Sequence, residues 1–250
     1  MRTIICNGDG GVYSDNPVID LYTLAQTNNK NPRVCFLPTA SADNGGLIGH
    51  FMKTFERYPC EPTFLRLFAP DEPDIEDFLL SSDIIYVGGG QTKSMLGIWR
   101  EWGVDKILKK AYDSGIILAG GSAGLVCWFD KCLTDSFPGE LKVMDCLGFL
   151  PFAGCPHYVS NDRQKAYRRA ILNGSIQAGY AVDDFAAIHF ENEKVKMSIS
   201  AFESSKSYYL YRDEDKVVET PITTVFLCSN DAAETHIFSK DPFKQLMDDK

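Results

Sequence analysis

Short apolar runs alternating with amphipathic stretches constrain the fold of this 250-residue chain more than any other feature. Thr3–Cys6, Arg33–Leu37, Thr63–Phe68, Asp83–Val87 and Ile116–Ala119 each read as a strand. Strands this short and this apolar are buried on both faces, the pattern of a parallel sheet. Between them, apolar residues recur at helical spacing in Pro17–Gln26, Leu47–Tyr58, Asp74–Leu80, Lys93–Arg100 and Val104–Ser114. Strands joined through helices run parallel, and right-handed crossovers distribute the helices over both faces. The first 130 residues therefore predict a three-layer, doubly wound α/β fold with a mostly parallel sheet.

The pattern changes near residue 131. Residues 131–160 read as loop-rich, with Pro138, Gly139, Pro151, Gly154 and Pro156. Asn161–Asn173 reads as a helix with Ala166, Tyr167, Ala170, Ile171 and Leu172 on its apolar stripe. Gly179–Val182, Ala186–Phe190, Val195–Ser200, Ser207–Tyr211 and Thr223–Leu227 read as strands. These are expected to extend one edge of the sheet as an antiparallel meander. Asp241–Lys250 reads as a short helix. With no linker, repeat or low-complexity segment, residues 1–250 are expected to form one α/β domain.

Charge narrows the partners. The net charge is −9, which argues against a nucleic-acid or anionic-membrane surface, because both need a basic footprint. No apolar run approaches the roughly 18 residues of a membrane span. The first residues lack the apolar core of a secretory signal, so the expected location is cytoplasmic. The 8 cysteines include no CxxC pair, and several sit inside apolar runs, as in Ile5-Cys6, Val34-Cys35-Phe36 and Val126-Cys127-Trp128. They read as buried free thiols, and a structural zinc site is not expected.

The sharpest motif is Gly120-Gly121-Ser122-Ala123-Gly124. It satisfies G-x-S-x-G and stands between a strand and the helical stretch Leu125–Phe129. A turn that tight needs small neighbours, and it lifts the serine hydroxyl off the sheet at a helix N-terminus. The bland alternative is a small-residue turn that lets helix pack on strand. A second glycine loop, Gly88-Gly89-Gly90-Gln91-Thr92, follows the preceding strand. Parallel sheets build sites at the carboxyl ends of their strands. Backbone N–H groups of Gly90 and Ala123 suit a developing oxyanion. Neither phosphate-binding glycine pattern is present, and a plain flexible turn is the competing reading.

A serine nucleophile needs a base. Of the 4 histidines, His157 lies in the rigid segment Gly154-Cys155-Pro156-His157-Tyr158. His189 sits in an alternating strand and reads as a sheet residue, while His50 and His236 lack partner signals. Asp135, in Leu133-Thr134-Asp135-Ser136, is the leading candidate for the orienting acid. Asp162, the pair Asp183-Asp184 and Glu140 compete with it.

These segments together resemble peptidase family S51, whose best-known members are dipeptidase E and, more distantly, cyanophycinase. The match is carried by Gly88–Thr92 (with Gln91 where the family usually has Asn), Gly121–Gly124, Thr134-Asp135-Ser136 and Pro156-His157-Tyr158, in that order. The resemblance implies a class I glutamine amidotransferase-like, flavodoxin-like fold. It implies Ser122 as nucleophile, His157 as base, Asp135 as orienting acid, and Gly90 with Ala123 as oxyanion hole. It implies a serine hydrolase of small peptides, N-terminal aspartyl dipeptides among them, with no metal or cofactor, working as a monomer or homodimer. Lys93, Arg163, Lys165, Arg168 and Arg169 are cations that a substrate carboxylate could meet, though such charges often form only a solvated helix face. The competing readings are a catalytically silent member of the fold that binds a small ligand, a cysteine-dependent amidotransferase-type hydrolase, and an ordinary α/β-hydrolase esterase. Ser122 at the elbow disfavours the cysteine enzyme, and the context of His236 disfavours the esterase.

Overall fold

A computed structural model of the chain describes residues 1–11, 14 and 16–227. The strands in chain order are β1 (Thr3–Asn7), β2 (Arg33–Leu37), β3 (Glu61–Phe64), β4 (Ile84–Val87), β5 (Ile117–Gly121), β6 (Phe129–Thr134), β7 (Lys142–Asp145), β8 (Leu150–Cys155), β9 (Ala178–Val182), β10 (Ala186–Glu191), β11 (Lys194–Ser200), β12 (Ser207–Asp213), β13 (Lys216–Pro221) and β14 (Thr224–Phe226). The helices are α1 (Val18–Leu24), α2 (Gly45–Phe55), α3 (Ile75–Leu80), α4 (Thr92–Trp102), α5 (Val104–Ser114), α6 (Ala123–Val126) and α7 (Asn161–Leu172). Cys228, His236 and the helix expected at Asp241–Lys250 lie outside the described residues.

Eight strands form the larger sheet, in the order β14-β11-β10-β1-β5-β4-β2-β3. Its β1, β5, β4, β2 and β3 are mutually parallel, as the apolar runs require. Their side chains alternate between two cores. On one face Ile5, Val34, Phe36, Ile84 and Tyr86 meet α1 and α2, with Phe36 and Phe51 stacked at 4.5 Å. On the other face Ile4, Cys6, Cys35, Leu37, Ile85 and Val87 meet residues of α3, α4, α5 and α6. This is the doubly wound α/β layer.

The second half departs from expectation. The C-terminal strands do not form one edge meander; they divide between two sheets. β10 pairs antiparallel with β1, β11 follows it, and β14 adds in parallel. β9, β12 and β13 leave for a second, six-stranded sheet of order β13-β12-β9-β8-β6-β7. Strands β7 and β8, and β6 from Lys131 onward, lie in the stretch read as loop. Two of the residues that suggest loop fit the ladder: Pro151 is solvent-exposed on β8, and a methyl at Gly154 would stand 2.6 Å from the Phe129 ring. Phe129, Cys132 and Leu150 of this sheet share the core of α4, α5 and α6, so one apolar cluster joins both sheets. Its outer face is covered by α7, through Tyr167, Ala170 and Ile171 against Ala153, Ala181 and Leu210.

The helix after Ser122 is shorter than read, because the chain turns at Cys127 and Trp128 into β6. The seven described cysteines are free thiols, and Cys6, Cys35, Cys127, Cys132 and Cys155 are buried. Burial pushes the Cys127 thiol well above its ordinary range, so it is no thiolate nucleophile. No helix of the described residues is long and apolar enough to cross a membrane.

Candidate active site

The carboxyl ends of β1, β4 and β5 meet the ends of β8 and β9 where the two sheets join. Ser122 sits between β5 and α6 with φ 54° and ψ −108°, a backbone conformation that an L side chain rarely adopts. Such strain persists only where the surroundings dictate it. Here close backbone contact does so. A methyl at Gly120 or Gly124 would stand 2.5 or 2.1 Å from the Val87 carbonyl oxygen, which leaves the turn no alternative path. The Ser122 N–H donates to the Asn7 carbonyl at 3.3 Å.

Ser122 Oγ lies 2.9 Å from His157 Nε2, and His157 Nδ1 lies 2.7 Å from Asp184 Oδ1. The three side chains form one hydrogen-bonded line, each half-buried. With Asp184 ionised, Nδ1 carries the proton and Nε2 accepts from the serine hydroxyl; this tautomer follows from the network. His157 is itself at φ 53° on the turn after β8. That turn is clipped to β9, because the Tyr158 N–H donates to the Val182 carbonyl at 3.1 Å.

Asp184 occupies the β9–β10 turn, and its setting is well braced. The neighbouring Asp183 carboxylate accepts the Lys206 N–H at 3.0 Å, and burial raises its pKa. The Phe185 N–H donates to the Asp9 carbonyl at 2.7 Å. Asp183 thus holds the turn inward, while Asp184 faces the imidazole.

The expectation for Asp135 is corrected by this geometry. Asp135 lies at the end of β6, where its carboxylate accepts from Arg163 Nη2 at 2.7 Å, and its side chain is 68% exposed. The acid on His157 is Asp184, one of the residues read as a competitor, 27 positions downstream of the histidine. Asp162 lies in the first turn of α7, and Glu140 lies 4.0 Å from Lys142 Nζ; neither is bonded to His157. His189 is a buried sheet residue, 1% exposed, with Nδ1 2.7 Å from the Tyr22 hydroxyl.

Gly90 has φ 136°, and a methyl there would stand 2.3 Å from the Ala40 carbonyl oxygen, so only glycine fits. It is solvent-exposed, and among the described residues no hydrogen bond engages its N–H. Ala123 opens α6, where the first N–H groups of a helix have no partner within it. Of the cations, Arg168 is paired with Glu219 and Lys93 Nζ stands 4.5 Å from the Phe137 ring centre. Arg163 is 9% exposed, and its Nη1 has no hydrogen-bond partner among the described residues. Asp9, His157 and Asp184 offer ligand atoms within 4.8 Å of one another, the one such group among the described residues. The Nδ1-to-Asp184 distance within it, 2.7 Å, is that of a hydrogen bond.

A serine, a histidine and a carboxylate in line at the carboxyl edge of a parallel sheet is the arrangement that serine-type hydrolases use. The comparisons narrow the class. The model of peptidase family S51 matches residues 4–198. An uncharacterized peptidase of Bacillus subtilis (strain 168), YgaJ, is 41% identical over 230 residues, covering 91% of this chain and 100% of that protein. An uncharacterized peptidase of Listeria innocua, Lin0382, is 26% identical over 149 residues, 56% of this chain and 71% of its own. The crystal structure of a peptidase from an acI-B1 Actinobacterium superposes with a TM-score of 0.66 at 15% identity, covering 87% of this chain and 94% of that one. The chain belongs to peptidase family S51 and is a serine-type peptidase.

Proposed function

We propose that this peptidase hydrolyses small peptides in the manner of dipeptidase E, N-terminal aspartyl dipeptides among them, through a covalent acyl-serine. The observation that carries the reading is the line Ser122–His157–Asp184, at 2.9 and 2.7 Å, on a strained turn at the sheet edge. His157 Nε2 takes the Ser122 proton as Oγ attacks the scissile carbonyl. Asp184 holds Nδ1–H and stabilises the imidazolium that forms. The Gly90 and Ala123 N–H groups receive the oxyanion. His157 then returns the proton to the leaving amine, and water attacks the ester by the same route in reverse.

An acidic substrate needs a cation. Arg163 supports that reading, because β6 and β8 are parallel neighbours, with Cys132 beside Gly154, so the turns bearing Asp135 and His157 leave one sheet end. The Arg163 guanidinium reaches the first of these turns, where it pairs with Asp135 at 2.7 Å and keeps a buried Nη1 unpartnered among the described residues, so it would meet a substrate carboxylate only by exchanging Asp135 for it.

A panel of Asp-Xaa, Glu-Xaa, Ala-Xaa and Leu-Xaa dipeptides, given to the wild type and to Ser122→Ala, tests the proposal. Cleavage of Asp-Xaa that disappears in Ser122→Ala is the expected result. Ser122-dependent cleavage of the others alone would remove the aspartyl specificity. Undiminished cleavage by Ser122→Ala would remove the mechanism.

A further inference from the structure

One buried polar cluster behind the elbow takes no part in the acyl-transfer scheme. Asp20, on α1, is 1% exposed. Neither of its carboxylate oxygens, nor Asn7 Oδ1, has a hydrogen-bond partner within bonding geometry among the described residues. Buried polar atoms are nearly always paired, so each exception calls for a reason.

The neighbours supply one. Asn7 Nδ2 donates to the Tyr86 hydroxyl oxygen at 2.9 Å. A methyl at Gly11 would stand 2.5 Å from that oxygen, 2.8 Å from Asp20 Oδ1 and 3.4 Å from Asn7 Nδ2. The three polar groups thus converge around the Gly11 backbone. At the opposite end, a methyl at Gly121 would stand 2.3 Å from Asn7 Oδ1. The Asn7 carbonyl also accepts the Ser122 N–H. Asn7 therefore touches the serine turn twice, once by backbone and once by side chain.

The polarity of the chain is directional. A Tyr86 oxygen that accepts from Asn7 directs its own proton elsewhere, and Asp20 Oδ1 stands with that oxygen against the same Gly11 backbone. The orientation that sends Asn7 Nδ2 to Tyr86 is the one that sets Oδ1 against Gly121.

We propose that Asp20 is a positioning residue for the nucleophile: it orients the Tyr86 hydroxyl, Tyr86 orients the Asn7 amide, and Asn7 fixes the Gly121–Ser122 turn. The inference rests on the reading of Ser122 as the nucleophile.

Asp20→Leu, Asp20→Asn, Tyr86→Phe and the Asp20→Leu/Tyr86→Phe double variant test it. The readouts are kcat and KM on the dipeptide that the wild type cleaves, the rate of covalent labelling by a fluorophosphonate, and the unfolding midpoint. Asp20→Leu and Tyr86→Phe should each lower kcat and the labelling rate by about tenfold to a hundredfold, the cost of a misplaced reacting group, with KM nearly unchanged. The double variant should be no worse than either single one. Asp20→Asn, which still accepts a hydrogen bond, should recover most of the loss. Wild-type kcat in Tyr86→Phe, or Asp20→Asn as impaired as Asp20→Leu, would overturn the proposal. Should Asp20→Leu fail to fold, Tyr86→Phe decides, since it removes a single oxygen. A wild type that the probe does not label at Ser122 defeats the nucleophile reading and this inference with it. Equal labelling in all variants defeats the inference alone.

Discussion

Replacing Asp20 by asparagine should change how stability depends on pH, and the structure gives the size and the sign. Burial raises this carboxyl from 3.8 to about 8, with the nearby Tyr86 hydroxyl offsetting part of the rise. In the unfolded chain the same group ionises near pH 4. Between about pH 4 and about pH 8 the folded state therefore holds a proton that the unfolded state has released. Stability falls as pH rises through that window, at up to about 1.4 kcal/mol per pH unit, and the loss is complete above about pH 8. A shift of about four units sets a ceiling of about 6 kcal/mol. Asparagine keeps the shape and removes the ionisation. The titratable neighbours facing Asp20 among the described residues, Tyr86 and Tyr58, are common to both proteins. The assay is urea unfolding of both proteins in half-unit steps from about pH 5 to about pH 8. The difference in unfolding free energy, wild type minus variant, should decline by several kcal/mol across the series. Parallel curves would refute the reasoning, since Asp20 would then titrate alike in the folded and unfolded chain.

The other predictions concern the site and its surroundings. Asp184→Asn should cost on the order of 10⁴ in kcat, because the amide forces the wrong imidazole tautomer. Asp135→Asn should cost severalfold at most, since its ion pair with Arg163 is exposed on the acid side; steady-state kinetics on a cleaved dipeptide separates the two. Gly121→Ala should lower kcat by about a hundredfold with the fold retained, because its methyl meets Asn7 Oδ1 and displaces the serine turn, as kcat with a circular dichroism control would show. His189 is held neutral by burial, and its pKa falls from 6.5 to about 4, with Lys196 adding to the fall and Glu191 opposing it. Its folded form binds fewer protons, so stability is lost as pH drops from about 6.5 towards 4, by up to about 3 kcal/mol. His189→Gln should flatten that acid limb in the same unfolding assay.

Much of the larger sheet was legible because its chemistry is local. Five short apolar runs with helical spacing between them allow few folds other than a parallel layer. The glycines around Ser122 announce a turn that packs against Val87, and Pro156-His157 announces a rigid turn. What escaped was long-range pairing. Nothing local tells Gly179–Val182 to join the second sheet and Ala186–Phe190 to return beside β1. That crossing carries the β9–β10 turn over the histidine loop and delivers Asp184 to Nδ1. Read as an edge meander, the same strands left Asp184 as one of several candidate acids, and Asp135 carried the assignment through its motif. The available signal was the pair Asp183-Asp184 between two apolar strands, a turn whose first acid is buried and whose second is not. Strand β8 is hidden by Pro151 and Gly154, which break a propensity argument but are tolerated at an exposed position and under an aromatic ring.

The central claim is that Ser122 becomes acylated. The most direct measurement is to quench the enzyme with acid during turnover of an activated aspartyl ester and to locate the adduct by peptide mass spectrometry. An acyl mass should accumulate on the peptide containing Ser122 in the wild type and be absent from Ser122→Ala. An adduct on another residue, or turnover with Ser122 unmodified throughout, would contradict it.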